Sequence, residues 1–153
     1  MFADYRSPSP GMGPQSPRGS NGDTLLGIGG RTNLAIAVGT SATILLSRGS
    51  LIPVLTTNID GSVITNQIDS LGLEWTQVPP PQPVQDLQGV TTFEDLFVIS
   101  GSTGTILTSA DGTNWMKKPT PTTSFLSSVD SGPNGLVAVG RDGTILTSVN
   151  ASL

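Results

Sequence analysis

The chain contains no cysteine and no histidine, and only 12% of its 153 residues are charged. The missing cysteines exclude disulfide bonds and thiolate chemistry, and without histidine the usual zinc sites are excluded as well. Outside the range 1–22, the chain carries five cations and ten anions. No basic surface is then available to follow a phosphate backbone, so we expect no nucleic-acid partner.

Long apolar runs are missing too. No stretch approaches the roughly 20 apolar residues that a membrane-spanning helix needs. Residues 1–22 also lack the apolar core of a secretory signal. These features predict no membrane partner, and a protein that is made and used in the cytosol or is released by lysis.

Glycine and proline are abundant instead, with 19 and 12 residues. Both interrupt helices and supply turns, and the many Thr, Ser, Val and Ile residues fit pleated strands. The composition therefore predicts an all-β fold, and the length suits one ordinary domain. Residues 1–22 stand apart as an extended Pro/Ser/Gly-rich arm, and residues 23–153 form the β domain.

The N-terminal arm cannot bury enough apolar surface to order itself in water. Left alone, it is a disordered tail. Held by a neighbouring subunit, it is an assembly arm, and its apolar groups Phe2, Tyr5 and Met12 are the residues expected to dock. The arm is the sequence feature that most favours an assembly.

Three glycines, Gly39, Gly101 and Gly140, anchor an internal repeat. An apolar run leads into each glycine, and a Thr-Ile-Leu-x-Ser segment follows it. A leucine and then a β-branched residue stand at constant spacings before each glycine: Leu25, Leu87 and Leu126, and Ile28, Val90 and Val129. Trp75 and Trp115 also correspond, since they stand at nearly the same spacing before the second and third glycines.

Each repeat predicts four short strands, with the second apolar on both faces as in a sheet packed between two others. The repeats span about residues 25–75, 87–115 and 126–153, so the third ends before its fourth strand. The first contains an insert, residues 48–74, whose Thr- and Ile-rich runs flank Asp60-Gly61 and predict a projecting β-hairpin. The turns "STGT" and "RDGT" predict tight hairpins, but Ala42 replaces glycine in "TSAT", so that turn is expected to differ or to carry strain.

The succession "VAVG", "GTILTS" and "DGTNW" resembles the BNR or Asp-box class of β-propellers, in particular the blades of photosystem II assembly factor-like proteins. The box of that class runs Ser-x-Asp-x-Gly-x-Thr-Trp. Ser109, Asp111, Gly112 and Trp115 reproduce it in a form one residue shorter. The resemblance covers residues 25 to 153. It implies that these four residues are structural, and that the domain has about three propeller-like four-stranded blades, the last of them incomplete.

Closed propellers have about four or more blades, so two complete blades and part of a third do not close a ring. Exposed sheet edges invite pairing with another chain. We therefore expect a homo-oligomer, in which a partner or the N-terminal segment supplies the missing fourth strand.

Hydrolysis has to be considered, because sialidases use Asp-box propellers. That likeness implies an arginine cluster and a tyrosine nucleophile, whereas here the arginines are scattered and the single tyrosine, Tyr5, lies in the arm. Glu94 and Asp95 are expected in a solvated turn, and the acidic residues of the insert lack metal-ligand spacing. We predict no enzyme activity, no cofactor and no metal site.

Two interpretations are open for Trp75 and Trp115: they pack between blades, or they stack on sugar rings. The second interpretation keeps carbohydrate as a candidate partner.

The arm, the incomplete repeats and the acidic body predict a structural protein of a bacteriophage virion. It would be a capsid decoration protein or a small tail component, assembled in the host cytoplasm with other virion proteins. The alternatives are an oligomeric propeller-type binding module, lectin-like or photosystem-assembly-factor-like, and a fragment of a larger propeller.

Overall fold

The computed structural model describes residues 22–57, 60–70 and 74–151. These residues form short strands, with one 3-10 turn at Arg141–Gly143, and none of them forms a helix with the length and apolar character to cross a membrane. The strands in chain order are β1 (Leu25–Arg31), β2 (Leu34–Gly39), β3 (Ile44–Arg48), β4 (Ser50–Thr57), β5 (Val63–Ser70), β6 (Trp75–Gln77), β7 (Leu87–Phe93), β8 (Leu96–Gly101), β9 (Ile106–Ser109), β10 (Met116–Lys118), β11 (Leu126–Gly132), β12 (Gly135–Gly140) and β13 (Ile145–Ser148).

The strands form three antiparallel sheets and a separate hairpin. Sheet 1 has the order β1-β2-β3-β6, sheet 2 the order β7-β8-β9-β10 and sheet 3 the order β11-β12-β13, while β4 and β5 pair with each other. The all-β repeat architecture is confirmed, and so is the hairpin around Asp60-Gly61. The fourth strands β6 and β10 end at Gln77 and Lys118, so the first two repeats run slightly beyond their predicted ends at 75 and 115.

Each anchor glycine pairs across its sheet with the leucine that precedes it at the constant spacing of the repeat. The pairs are Leu25–Gly39, Leu87–Gly101 and Leu126–Gly140, and the register shifts just after each leucine. This bulge brings the preceding carbonyl oxygen against the glycine. A Cβ atom on Gly39 would lie 2.1 Å from the carbonyl oxygen of Thr24, and the matching distances are 2.5 Å at Gly101 and 2.2 Å at Gly140. Only glycine fits, which explains the fixed spacing of the repeat.

The turn after each anchor glycine has the same backbone in all three repeats. Two consecutive residues take positive φ, as a type I′ turn requires: 53° and 64° at Thr103 and Gly104, and 55° and 69° at Asp142 and Gly143. The first repeat keeps this geometry, with a φ of 58° at Ala42. Of the two outcomes expected for that turn, the structure therefore shows strain and not a different turn. A left-handed alanine costs about 1–2 kcal/mol.

Each sheet has two faces, because successive side chains of a strand point to opposite sides. We call "front" the face with Ile36, Val38 and Ile44 in sheet 1, Val98, Ser100 and Ile106 in sheet 2, and Val137, Val139 and Ile145 in sheet 3. We call "back" the face with Ala35, Ala37 and Leu45 in sheet 1, Phe97, Ile99 and Leu107 in sheet 2, and Leu136, Ala138 and Leu146 in sheet 3.

Two apolar clusters fill the spaces between neighbouring sheets. The front of sheet 1 packs against the back of sheet 2, and Ile36 and Phe97 are fully buried there. The front of sheet 2 packs against the back of sheet 3, where Ile106 and Ala138 are fully buried. Each large apolar side chain buried in this way stabilises the fold by about 1.5–3 kcal/mol. The middle sheet is covered on both faces, as its doubly apolar strand β8 predicts.

Candidate functional site

The turn between β9 and β10 brings together the four predicted Asp-box residues. Ser109 is buried at the end of β9, and its Oγ accepts hydrogen bonds from the backbone N–H groups of Asp111 at 3.3 Å and Gly112 at 2.9 Å. The same hydroxyl donates to Asp111 Oδ1 at 3.0 Å. Gly112 takes a φ of 74°, a conformation that glycine adopts without steric cost. The Ser109 hydroxyl therefore closes the first half of the turn.

The Asp111 carboxylate closes the second half. Its Oδ1 accepts hydrogen bonds from the backbone N–H groups of Thr113 and Asn114, both at 2.8 Å, and its Oδ2 accepts one from Asn114 Nδ2 at 2.7 Å. The backbone hydrogen bonds from Asn114 and Thr113 hold the pKa of the Asp111 carboxyl well below its usual range. Both carboxylate oxygens are thus engaged inside the turn.

The turn also contacts sheet 1. Trp115 Nε1 donates to the carbonyl oxygen of Gly112 at 3.1 Å, and the half-buried indole packs on the cluster between sheets 1 and 2. A Cβ atom on Gly112 would lie 2.9 Å from Ile36 Cδ1 and 3.0 Å from Leu46 Cδ1. Glycine at position 112 therefore lets the turn of sheet 2 pack closely against sheet 1.

Two arginines of sheet 1 bind backbone carbonyls of sheet 2 around this turn. Arg31 donates to the carbonyl oxygen of Asp95 at 2.7 Å and to that of Ala110. Arg48 donates to the carbonyl oxygen of Asp111 at 3.3 Å. Sequence reasoning counted the arginines only as scattered and missed this role, because nothing in the local pattern relates these two positions to a turn in the following repeat.

After β13, residues 148–151 repeat the first half of this turn, which sequence reasoning also missed. Asn150 replaces Asp111, and its backbone N–H donates to Ser148 Oγ at 3.3 Å. The Ser148 hydroxyl lies 3.3 Å from Asn150 Oδ1. Ala151 replaces Gly112, takes a φ of 56° and is buried between sheets 2 and 3. Asn and Ala at these two positions weaken the sequence signal, although residues 148–151 keep two of the hydrogen bonds and the positive φ found in the turn at Ser109.

The other candidate residues occupy different parts of the molecule. Trp75 begins β6, pairs across the sheet with Ser47 and is half-buried. Glu94 and Asp95 are exposed in the turn between β7 and β8, as predicted. Within the described ranges, no three His, Cys, Asp or Glu side chains lie close enough to hold a metal ion. The arm residues Phe2, Tyr5 and Met12 lie outside the described residues.

The geometry of the turn at Ser109 serves to hold chain segments together. The hydroxyl, both carboxylate oxygens and the indole N–H bind groups of the same turn, and the surrounding backbone carbonyls accept hydrogen bonds from sheet 1. Hydrogen bonds to charged groups contribute about 1.5–3 kcal/mol each. The turn therefore fixes the position of sheet 2 against sheet 1.

No family model and no curated protein matches the sequence. Among solved structures, the chain is similar to the computationally designed Ika4 protein, with 15% identity and a TM-score of 0.44 over 90% of this chain and 99% of that chain. A likeness of this size carries no information about function.

Proposed function

We propose that the protein is a non-enzymatic structural component of a bacteriophage virion, a capsid decoration protein or a small tail component. Its three sheets are blades of the β-propeller type, in the BNR or Asp-box class. It joins the virion through surfaces that the chain leaves open, with copies of itself and other virion proteins as partners. It is assembled in the host cytoplasm.

The observation that carries this proposal is the open front of sheet 3. Val137, Val139 and Ile145 are 44%, 39% and 68% exposed, whereas the equivalent Val98 and Ile106 of sheet 2 are fully buried. Exposed apolar patches on soluble proteins mark interaction surfaces. Because the same face is buried in one repeat and open in the next, burial against a partner accounts for its composition.

The geometry of the Asp-box turn supports the structural role. Ser109, Asp111 and Trp115 use their hydrogen-bonding groups to fix the turn. Sheet 3 adds an open edge, since β13 pairs with β12 on one side and with no described strand on the other. An unpaired edge is a template for association with another chain.

Purified phage particles provide the test. The tagged chain is expressed during infection, particles are isolated on density gradients, and their proteins are quantified by mass spectrometry. We expect a fixed copy number of the wild-type chain per particle, and loss of incorporation with Val137→Asp. Met116→Asp is the control, because Met116 is 62% exposed but lies on sheet 2, outside the open front of sheet 3. Particles that lack the wild-type chain would contradict the proposal.

A second function, carbohydrate binding by an oligomeric propeller-type module, is favoured by Trp75. This ring is half-buried on the edge strand β6, whereas the indole N–H of Trp115 already donates within its turn. A glycan array with the wild-type chain, Trp75→Ala and Trp115→Ala separates the two tryptophans. Binding that disappears only with Trp75→Ala would make this function the better one. The photosystem-assembly-factor-like alternative, in which the protein would bind a subunit of a membrane protein, stays a prediction.

A further inference from the structure

We propose that the open front of sheet 3 binds the back of sheet 1 of a second copy, so that the chain associates head to tail. This inference rests on the proposed function, in which the open front of sheet 3 is an assembly surface, and it names a second copy of the chain as the partner that covers this face. The contact is a third interface of the kind that already occurs twice within the chain.

The two internal interfaces show how one sheet receives the next. In each, the first strand of the following sheet lies against the first two strands of the preceding sheet: β7 contacts β1 and β2, and β11 contacts β7 and β8. Val90 of β7 and Val129 of β11 occupy equivalent positions and pack on the two apolar clusters. A third interface of this kind places β1 of a second copy against β11 and β12.

The first strand of the chain has the side chains for this contact. Leu25 and Ile28 of β1 correspond to Leu126 and Val129 of β11. Leu25 is 52% exposed and Ile28 is 70% exposed, whereas Leu126 is 0% and Val129 is 5% exposed. Strand β1 thus carries the apolar pattern that sheet 2 buries in β11, but it lacks a preceding sheet among the described residues.

Open grooves lie on both sheets that the docking joins. One, of about 560 Å³, is lined by residues 132–137 and 147–150 of sheet 3. The other, of about 450 Å³, is lined by residues 28–32, 34 and 35 of sheet 1. On the back of sheet 1, Ala35, Ala37 and Leu45 are already buried. The contact therefore falls on β1, the equivalent of strands β7 and β11 that lie against the preceding sheet in the internal interfaces.

One difference separates the proposed interface from the internal ones. On β1, a Cβ atom at Gly27 would lie 2.7 Å from the carbonyl oxygen of Gln88 on β7, so these backbones meet directly. The equivalent residue of β7 is Gly89, but that of β11 is Ser128. The Ser128 side chain holds an incoming strand farther away, so this contact separates more readily than the internal ones, as suits a contact between chains.

A second copy is the favoured occupant because one sequence carries both halves of the contact. Pairing of two sheet 3 fronts would bury Val137 but leave Leu25 and Ile28 in water, whereas the head-to-tail arrangement buries all three. Two chains joined in this way bring together three sheets from each chain, six in all. Closed propellers have about four to eight blades, and a head-to-tail contact that closes on itself gives a ring.

Two charge substitutions, one on each side of the contact, form the test. Ile28→Asp damages the back of sheet 1, and Val137→Asp damages the front of sheet 3. Both residues are exposed within the chain, so both variants should fold, and circular dichroism checks this. Sedimentation velocity across a concentration series should show association of the wild-type chain and of Met116→Asp. Each of the two variants alone should associate at least about tenfold more weakly, since a buried unpaired charge removes more than one decade of affinity.

Mixing the two variants distinguishes the geometry. In a head-to-tail contact, the intact front of Ile28→Asp meets the intact back of Val137→Asp, so native mass spectrometry should show a heterodimer with one copy of each. Pairing of two sheet 3 fronts predicts instead that Ile28→Asp associates normally and that no rescue occurs, which would overturn the inference. A wild-type chain that stays monomeric at every concentration would also overturn it, even if the chain is found in virions. Self-association without incorporation into particles would contradict only the proposed function.

Discussion

At the scale of single residues, Gly104 and Gly143 occupy the same place in two copies of one turn, yet their surroundings differ. Both take positive φ, 64° and 69°. A Cβ atom on Gly104 would lie 1.9 Å from the carbonyl oxygen of Thr122, whereas one on Gly143 would meet nothing within 4 Å. The pair therefore separates backbone strain from steric exclusion.

We predict that Gly143→Ala lowers the free energy of unfolding by about 1–2 kcal/mol, the cost of a left-handed alanine. Gly104→Ala should cost clearly more, because the backbone must also move away from Thr122. Urea unfolding followed by tryptophan fluorescence measures both. Equal losses in the two variants would show that the loop at Thr122 yields without cost.

The Asp111 carboxylate makes stability depend on acid. Its pKa is lowered in the folded chain by the hydrogen bonds from Asn114 and Thr113. The stabilisation is therefore complete above the pKa of an unfolded aspartate, about 3.9, and is lost as the pH falls below that value. Asp111→Asn should flatten the fall of unfolding free energy in acid, and Asp111→Ala should cost about 1.5–3 kcal/mol at neutral pH.

Asp60 provides the control for this pH dependence. The hydrogen bonds from Ser62 lower the pKa of the Asp60 carboxyl, but this residue is exposed in the hairpin turn. Asp60→Asn should leave most of the acid slope in place. If instead Asp60→Asn flattens the slope and Asp111→Asn does not, the turn at Ser109 is not the acid-sensitive element.

At this scale the sequence signal is local. The resemblance of Ser109, Asp111 and Trp115 to the Asp box implied a structural role, and the hydrogen bonds that these side chains make span only a few residues. The reasoning left open whether Ala42 keeps the glycine turn, since the choice depends on how strongly the neighbouring strands enforce the geometry. It missed Ser148 and Asn150, because Asn150 and Ala151 stand where the box has Asp and Gly.

At the scale of elements, Arg31 joins two sheets. Besides its bonds to the carbonyl oxygens of Asp95 and Ala110, its guanidinium lies 4.9 Å from the centre of the Phe97 ring. We predict that Arg31→Ala lowers the free energy of unfolding by about 1–3 kcal/mol through loss of these contacts. Thermal and urea denaturation measure the loss.

Arg141 is the matched control, because its guanidinium lies 4.7 Å from the centre of the Phe125 ring. Arg141 is exposed, and Phe125 directly precedes β11 of the same sheet, so this contact does not join two sheets. Arg141→Ala should cost no more than about 1 kcal/mol, the value of an exposed cation–π contact. A loss as large as that of Arg31→Ala would assign the effect to the ring contact and not to the bonds between sheets.

The elements themselves were predictable because period and turn chemistry define them. Hairpin β4–β5 follows from Asp60-Gly61, and the four-strand succession follows from the anchor glycines. The arginine bonds between sheets were not predictable, since they join positions with no common local pattern. The fourth strand was expected in the segment around each tryptophan. Strand β6 begins at Trp75 and β10 begins directly after Trp115.

At the scale of the whole molecule, stability should be graded from the middle outward. Strand β8 belongs to a sheet that is covered on both faces, whereas β13 is an edge strand of a sheet with an open front. Segments with fewer buried contacts open with lower free energy. Hydrogen exchange read by mass spectrometry should therefore show the slowest exchange in β8 and measurably faster exchange in β13, and equal rates would indicate a single cooperative unit.

The number of sheets could be predicted from the repeat, but their mutual packing could not. The apolar residues on both faces of β8 indicated two covered faces and did not say which sheet covers which face. The repeat alignment already made Leu25 equivalent to Leu126, and Val137 equivalent to Val98. It did not show that Leu25 and Val137 are exposed while their equivalents are buried, because exposure depends on which sheets lie next to each other.

The separate hairpin has a practical consequence. Strands β4 and β5 pair with each other and with no third described strand, and they enter the chain between two neighbouring strands of sheet 1, β3 and β6. The three sheets tolerate a long insert at this junction, so foreign peptides of similar length should be accepted there in place of the hairpin. The junction after Arg48 is thus a natural site for displaying a peptide tag or an antigenic loop on the protein.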